Sequence, residues 1–155
     1  AEEHQRFEIA ALSRDEGNRL AASGQHQAAS LEYLRGLDAF DGTEASELSS
    51  SLQSLQAQLL CLAGQALLKC EGMDGSNQMA CSVATRALEL EPKSTKALLL
   101  RGRAYCAGGS LDLACKDFQE VLRLDPFNVE AKQDLEQLAD KYTAVEEGWE
   151  DRHPA

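Results

Sequence analysis

At 155 residues the chain has the length of a single domain, one able to bury roughly two-thirds of its unfolded surface. It is 43% apolar but only 5% aromatic, rich in Ala and Leu, with proline at 92, 126 and 154, a composition that favours helices throughout. Fifteen basic against 26 acidic residues leave a net charge of −11, which repels phosphate backbones and anionic membrane surfaces and so excludes nucleic acid and membranes as partners.

Residues 5–22 read as a helix broken at Ser23-Gly24, and a second helix follows over about 26–40. Asp41-Gly42 ends it, and Asp or Thr of the DGTEASE segment offers a cap for the next helix. Residues 45–70 read as one unusually long helix. The Gly- and Asn-rich stretch EGMDGSNQ is a loop expected to be mobile. A helix from about 77 to 90 stops before Glu91-Pro92, because a residue preceding proline disfavours the helical conformation. Ser94 caps a helix that reaches Ala107 and is closed by Gly108-Gly109; Ser110 caps the next, which ends near Leu124. Asn128 caps a last helix over 128–147, and 148–155 read as a frayed tail.

The stretch from Lys96 to Pro126 carries one repeat nearly whole. Leu98-x2-Arg101-Gly102-x2-Tyr105, then Ala114-x3-Phe118, then Pro126 follow the tetratricopeptide spacing, broken only at Arg101. One repeat length back lies Pro92, with Ala87, Ala80 and, across a short insertion, Gly64 in frame. Gly17, Leu20, Gly24, Ala29 and Tyr33 take the same slots in the first repeat. Gly17 and Gly64 are 47 residues apart and Gly64 and Gly102 are 38 apart, against a period of roughly 34. The surplus is expected to extend helices around the 41–46 turn and to enlarge the EGMDGSNQ loop.

The fold expected is therefore all-α. Three helix-turn-helix repeats at about 10–41, 45–92 and 95–126 and a capping helix at 128–147 make a single domain over 1–147, wound into a right-handed superhelix with a concave face. Counting each repeat so that its Gly falls at slot eight, slots two, five, six, nine, twelve and thirteen of each first helix point into that concavity. Candidate peptide-binding residues are Arg14 and Asn18 in repeat one, Leu62, Gln65 and Lys69 in repeat two, and Lys96, Leu100 and Arg103 in repeat three. The charged slots are four basic, Arg14, Lys69, Lys96 and Arg103, and one acidic, Asp15, in a chain that is acid-dominated overall. Such a groove attracts a carboxylate-bearing peptide, and its Leu and Ala slots accept an apolar side chain. A merely solvated helix face is the competing reading of the same charges.

The string Asp15-Glu16-Gly17-Asn18 and the long first and third helices resemble the tetratricopeptide domains of co-chaperones and immunophilins, over nearly all of residues 8–142. The extended connection between repeats one and two is most similar to the immunophilin type, where the domain follows a prolyl-isomerase domain. The resemblance implies a carboxylate clamp for the Glu-Glu-Val-Asp tails of heat-shock chaperones. Its Lys position falls on Arg14, its first Asn on Asn18 and its repeat-three Lys on Lys96, whereas its second Asn and its Arg fall on Leu62 and Leu100. A hydrogen bond to a charged group is worth about 1.5 to 3 kcal/mol, so losing two weakens such a tail by roughly two to four orders of magnitude. Arg103 or Arg101 offers a replacement from a neighbouring position. The expected function is a non-catalytic, co-chaperone-like domain with a retuned clamp. The alternatives are an ordinary clamp adaptor, or a targeting or autoinhibitory domain of a larger prolyl isomerase or phosphatase.

Chemistry finds little footing. His4, His26 and His153 fall at an end, a turn and a tail without metal-ligand spacing, so no metal, cofactor or active site is expected. Asp38 and Asp41-Gly42 lack the alternating oxygen ligands of a calcium loop, and the last helix is too acidic for a calmodulin target. Cys81 and Cys115 share a slot that points to packing between helices, while Cys61 on the groove face is the one thiol expected to repay testing. Five cysteines without a Cys-x-x-Cys pair, no apolar run near the roughly 18 to 20 residues of a membrane span and no signal-peptide character fit a soluble, cytoplasmic monomer. A start without Met, already inside a helical pattern, is expected of a domain cut from a longer protein or of a processed one.

Overall fold

The computed structural model describes residues 2–70 and 72–152, the side chains at 45 and 143–152 excepted. Among these residues are seven α-helices and no strand: α1 (Glu2–Ala22), α2 (His26–Leu37), α3 (Ser50–Leu68), α4 (Ser76–Leu90), α5 (Thr95–Ala107), α6 (Leu111–Leu124) and α7 (Val129–Arg152). Each packs on the next, and the first helices of successive repeats, α1, α3 and α5, also touch, with α7 reaching back to α5. Three helix pairs and a cap therefore form the all-α array that the spacing predicts.

The boundaries depart most from expectation at α3 and α7. α3 starts at Ser50 rather than 45, because Phe40 and Leu48 are buried and pull the connection onto the core before the helix can begin. Short 3-10 turns at Asp38–Phe40 and Ala45–Glu47 absorb part of the surplus, and Ser49, not the expected Asp or Thr, is the cap, accepting from the Leu52 N–H at 3.4 Å. Ser110 does not cap α6 with its side chain. Its backbone N–H instead closes α5 by donating to the Tyr105 carbonyl at 2.8 Å, across Gly109 at φ +85°, the left-handed closure that glycine permits. α7 runs on through 148–152, read from the sequence as a frayed tail; residues 153–155, and Glu71 of the EGMDGSNQ loop, lie outside the described residues. Ser94 and Asn128 do cap their helices, accepting from the N–H groups of Ala97 at 3.2 Å and Ala131 at 2.9 Å.

Close approach of each first helix to its second depends on glycine. A Cβ at Gly17 would lie 2.4 Å from the Tyr33 ring, and one at Gly102 would lie 2.5 Å from Phe118. Both rings are almost fully buried. Repeat two is built differently: Ala84 holds the aromatic slot, and Gly64 faces Val83 and, from the next repeat, Leu100, each 3.5 Å from where a Cβ would sit. Repeats one and two share one core cluster that Ala97, Leu100 and Ala104 extend. Leu98, Leu99, Ala114, Phe118 and Val121 form a second with Ala131 and Leu138 of α7, so α7 covers the end of the array.

Arg101, where the repeat pattern breaks, has a dedicated partner. Its Nε and one terminal nitrogen donate to the two carboxylate oxygens of buried Asp117 at 2.9 and 2.7 Å, a bidentate pair between α5 and α6. The guanidinium also lies over the Tyr105 ring, 5.8 Å from its centre. Asp117's hydrogen bonds hold the arginine above its ordinary pKa, against the opposing pull of burial. The same two slots are Ala63 and Val83 in repeat two.

Candidate functional site

The face expected to be concave is built by α1, α3 and α5, the first helices of the repeats, which touch in turn. On α1, Arg14 and Asn18 stand four residues apart, hence one above the other on the helix. Arg14 donates across to Gln58 Oε1 of α3 at 3.2 Å and to its neighbour Asp15 at 3.2 Å. It therefore bridges two repeats before any ligand arrives. The Tyr33 hydroxyl donates to Asn18 Oδ1 at 2.7 Å, which leaves the amide nitrogen as the end free to serve a ligand oxygen.

Further along, Gln65, Lys96, Leu99, Leu100 and Arg103 surround a cavity of about 280 Å³ with Thr95, Asn128 and Glu130. Lys96 is exposed and makes no ion pair among the described residues. Arg103 is engaged twice: its Nε donates to Asp134 at 2.9 Å and a terminal nitrogen to Glu130 at 3.1 Å, both on α7. Arg103 also lines a second cavity of about 260 Å³, with Cys106, Asp134, Gln137, Leu138 and Lys141.

The structure brings Gln65, Lys96 and Arg103 together around one cavity and places Arg14 and Asn18 on the neighbouring helix face. Leu62 is half-buried against the first core cluster. Leu100 is only 3% exposed. Because α3 passes it at Gly64, its methyl groups fill interhelical space rather than the groove, although its outer edge borders the cavity. Lys69 lies apart from the rest. It is the residue that ends α3, and there it borders a separate cavity of about 490 Å³ with Gly24, His26, Leu31 and Cys70. Arg101 is drawn to α6 instead, where its Nε and one terminal nitrogen donate to the Asp117 carboxylate. Cys61 is 7% exposed, and burial pushes its thiol pKa up despite the opposing influence of Lys96, which makes it a poor nucleophile. The expected surplus of positive charge is correspondingly reduced, because Asp15, Glu130 and Asp134 meet two of the four basic residues.

Sequence reasoning did not find Tyr33, Glu130 or Asp134 as parts of this face. For the last two a signal exists: Glu130 and Asp134 are four apart on α7, hence on one side of it. Only the capping role of that helix was read from the pattern.

No protein-family model matches the chain. Similar sequences include the FK506-binding protein-like protein of Mus musculus, 44% identical over 69 residues, which are 44% of this chain and 20% of that protein. Human peptidyl-prolyl cis-trans isomerase FKBP4 is 30% identical over 132 residues, 84% of this chain and 28% of that protein. The chain thus spans between 20% and 28% of the length of these relatives. Among solved structures, the second TPR domain of human RPAP3, in complex with the HSP70 peptide SGPTIEEVD, matches with a TM-score of 0.70 and 28% identity, over 86% of this chain and 98% of that one. The Hsp90 co-chaperone Cns1 of Saccharomyces cerevisiae shares the fold at a TM-score of 0.79, with 19% identity over 95% of this chain and 43% of that one. Repeat spacing, glycine-on-aromatic packing and these likenesses agree: the chain is a tetratricopeptide repeat domain, similar to those of co-chaperones and immunophilins.

Proposed function

We propose that the concave face docks the acidic C-terminal segment of a partner protein, as a co-chaperone does, through a clamp of which only part is polar. Arg14, the Asn18 amide nitrogen and Lys96 supply the donors, and Leu62 offers hydrocarbon where the related clamps carry an amide. The observation that carries this reading is Lys96: exposed, without an ion pair among the described residues, and beside a cavity that Gln65 and Leu99 also line. A carboxylate arriving there gains a charge-assisted hydrogen bond without breaking an existing one. The RPAP3 domain, of the same fold and 28% identical, was solved with a peptide ending in Glu-Glu-Val-Asp, which supports acidic tails as the ligand class. The proposal includes a monomeric domain working in the cytoplasm, the reducing setting that its five cysteines fit.

Calorimetric titration with a peptide ending in Glu-Glu-Val-Asp, beside the same peptide amidated at its C-terminus, tests the reading. Binding that amidation weakens by at least about tenfold, and that Lys96→Ala also weakens, is the expected result; indifference to both changes rejects it. A second reading makes the domain a targeting element of a larger prolyl isomerase, which the 132-residue match to FKBP4 favours. The sequence of the full gene product decides that question.

A further inference from the structure

If the groove takes an acidic peptide, as proposed above, the arrangement around Arg103 has a second meaning. Arg103 lines both cavities. On the Lys96 side it meets Glu130, whose side chain is 64% exposed; on the other it meets Asp134, which is 15% exposed. We propose that Glu130 stands in for the ligand carboxylate while the groove is empty, and that Asp134 is the positioning residue that holds Arg103 ready for the exchange.

The two contacts differ in how easily they yield. An exposed ion pair is screened and worth little, whereas an acid that is mostly buried loses hydration and depends on its partner. Glu130 therefore leaves first. It also leaves at small cost, because it sits in the first turn of α7, where the helix dipole favours a carboxylate whether or not Arg103 is attached. The departing Glu130 frees one terminal nitrogen of the fork, on the side of the cavity where Lys96 stands. A peptide carboxylate entering there meets Arg103 and Lys96 together. Asp134 keeps its bond to Nε at 2.9 Å throughout, so the fork stays aimed at the groove. In this way Arg103 restores a cationic donor lost at Leu100, one that is regulated from within the chain.

Glu130→Gln and Asp134→Asn separate this proposal from simple electrostatics. Each removes one negative charge near the groove, so an effect of net charge alone tightens acidic-peptide binding in both. The proposal expects opposite signs. The probe is a peptide ending in Glu-Glu-Val-Asp, with its amidated twin as the control. Glu130→Gln is expected to bind it about two- to fivefold more tightly, and Asp134→Asn about three- to tenfold more weakly. Asp134→Glu, which keeps the charge on a longer arm, is expected to recover most of the loss. The Arg103 Nε–H resonance, followed by NMR, keeps its hydrogen-bonded shift in Glu130→Gln and loses it in Asp134→Asn. Circular dichroism of each variant shows whether α7 remains folded; where Asp134→Asn has also lost helix, Glu130→Gln is compared in an Arg103→Ala background, in which the proposal expects its gain to vanish and net charge alone expects the gain to persist. Equal tightening in both variants, or no change in either, overturns the proposal while leaving the groove reading intact. Failure of the parent chain and all variants to bind the peptide overturns both.

Discussion

Repeats one and three fold over a buried aromatic ring that rests on a glycine, while the repeat between them sets small side chains in the same slots and borrows Leu100 from its neighbour to fill the space. The difference shows two ways of bringing a pair of helices together. In the outer repeats the ring dictates the spacing and excludes even a methyl group at the glycine. In the middle repeat no single side chain dictates it, and Ala63, Ala80, Ala84 and Ala87 let the helices approach along a run of small residues, all buried. The middle repeat can afford this because it has a neighbour on each side, and Ala97, Leu100 and Ala104 of α5 belong to the same core.

Mutation can break the comparison or sharpen it. Removing the ring from an outer repeat has the largest expected effect: Phe118→Ala costs about 3 to 5 kcal/mol of stability, read from denaturant unfolding. Next is the ion pair that only repeat three possesses. Arg101→Ala strands the buried Asp117 carboxylate and costs about 2 to 3 kcal/mol. Arg101→Ala combined with Asp117→Val, which copies the Ala63 and Val83 of repeat two, is expected to recover most of that loss. Smaller again is Gly102→Ala, at about 1 to 3 kcal/mol, since its methyl group must displace a buried ring. Gly64→Ala marks the other side of the comparison. With only ordinary contacts 3.5 Å away it is expected to be neutral or to stabilise by up to about 1 kcal/mol, because alanine favours the helix over glycine. Equal losses at Gly64 and Gly102 would show the distinction between the repeats to be false.

The smallest effect concerns the most buried of the middle repeat's three thiols. Burial raises the pKa of Cys61, so at pH 8.5 less of it is thiolate than of an ordinary cysteine, and maleimide should label it after the half-buried Cys70 and Cys115. The sign follows for stability as well: a thiol held protonated in the folded state disfavours folding once pH rises above its unfolded value near 9. Thermal unfolding is expected to shift downward between pH 8 and pH 10, and to shift less in Cys61→Ala.

The slots that hold Gly17, Gly102, Tyr33 and Phe118 repeat at fixed spacing, so the array and its register were legible before any coordinates. So were Ser94 and Asn128 as caps, since each needs only its own turn. The lining of the groove was legible in part. Arg14, Asn18, Gln65 and Lys96 follow from slot geometry, which says where a Cα faces. It does not say what a long side chain reaches. Arg103 is drawn toward α7, Arg101 toward Asp117 and Leu100 into the gap over Gly64, and each of these destinations belongs to another helix. The start of α3 was missed for a related reason, because burial of Phe40 and Leu48 is a tertiary fact that the local breakers and caps of DGTEASE do not express.

Tyr33 joins the two halves of the comparison to the groove. The hydroxyl that it carries, and that Phe118 lacks, donates to the Asn18 amide oxygen and so tethers that side chain. An asparagine on an open surface samples several rotamers, and a ligand that needs one must select it. Here the choice is made when the first two helices fold together, so part of the groove's recognition is settled by packing and is absent from the entropy of binding. Phenylalanine at position 33 would preserve the helix pair and return that freedom to the amide.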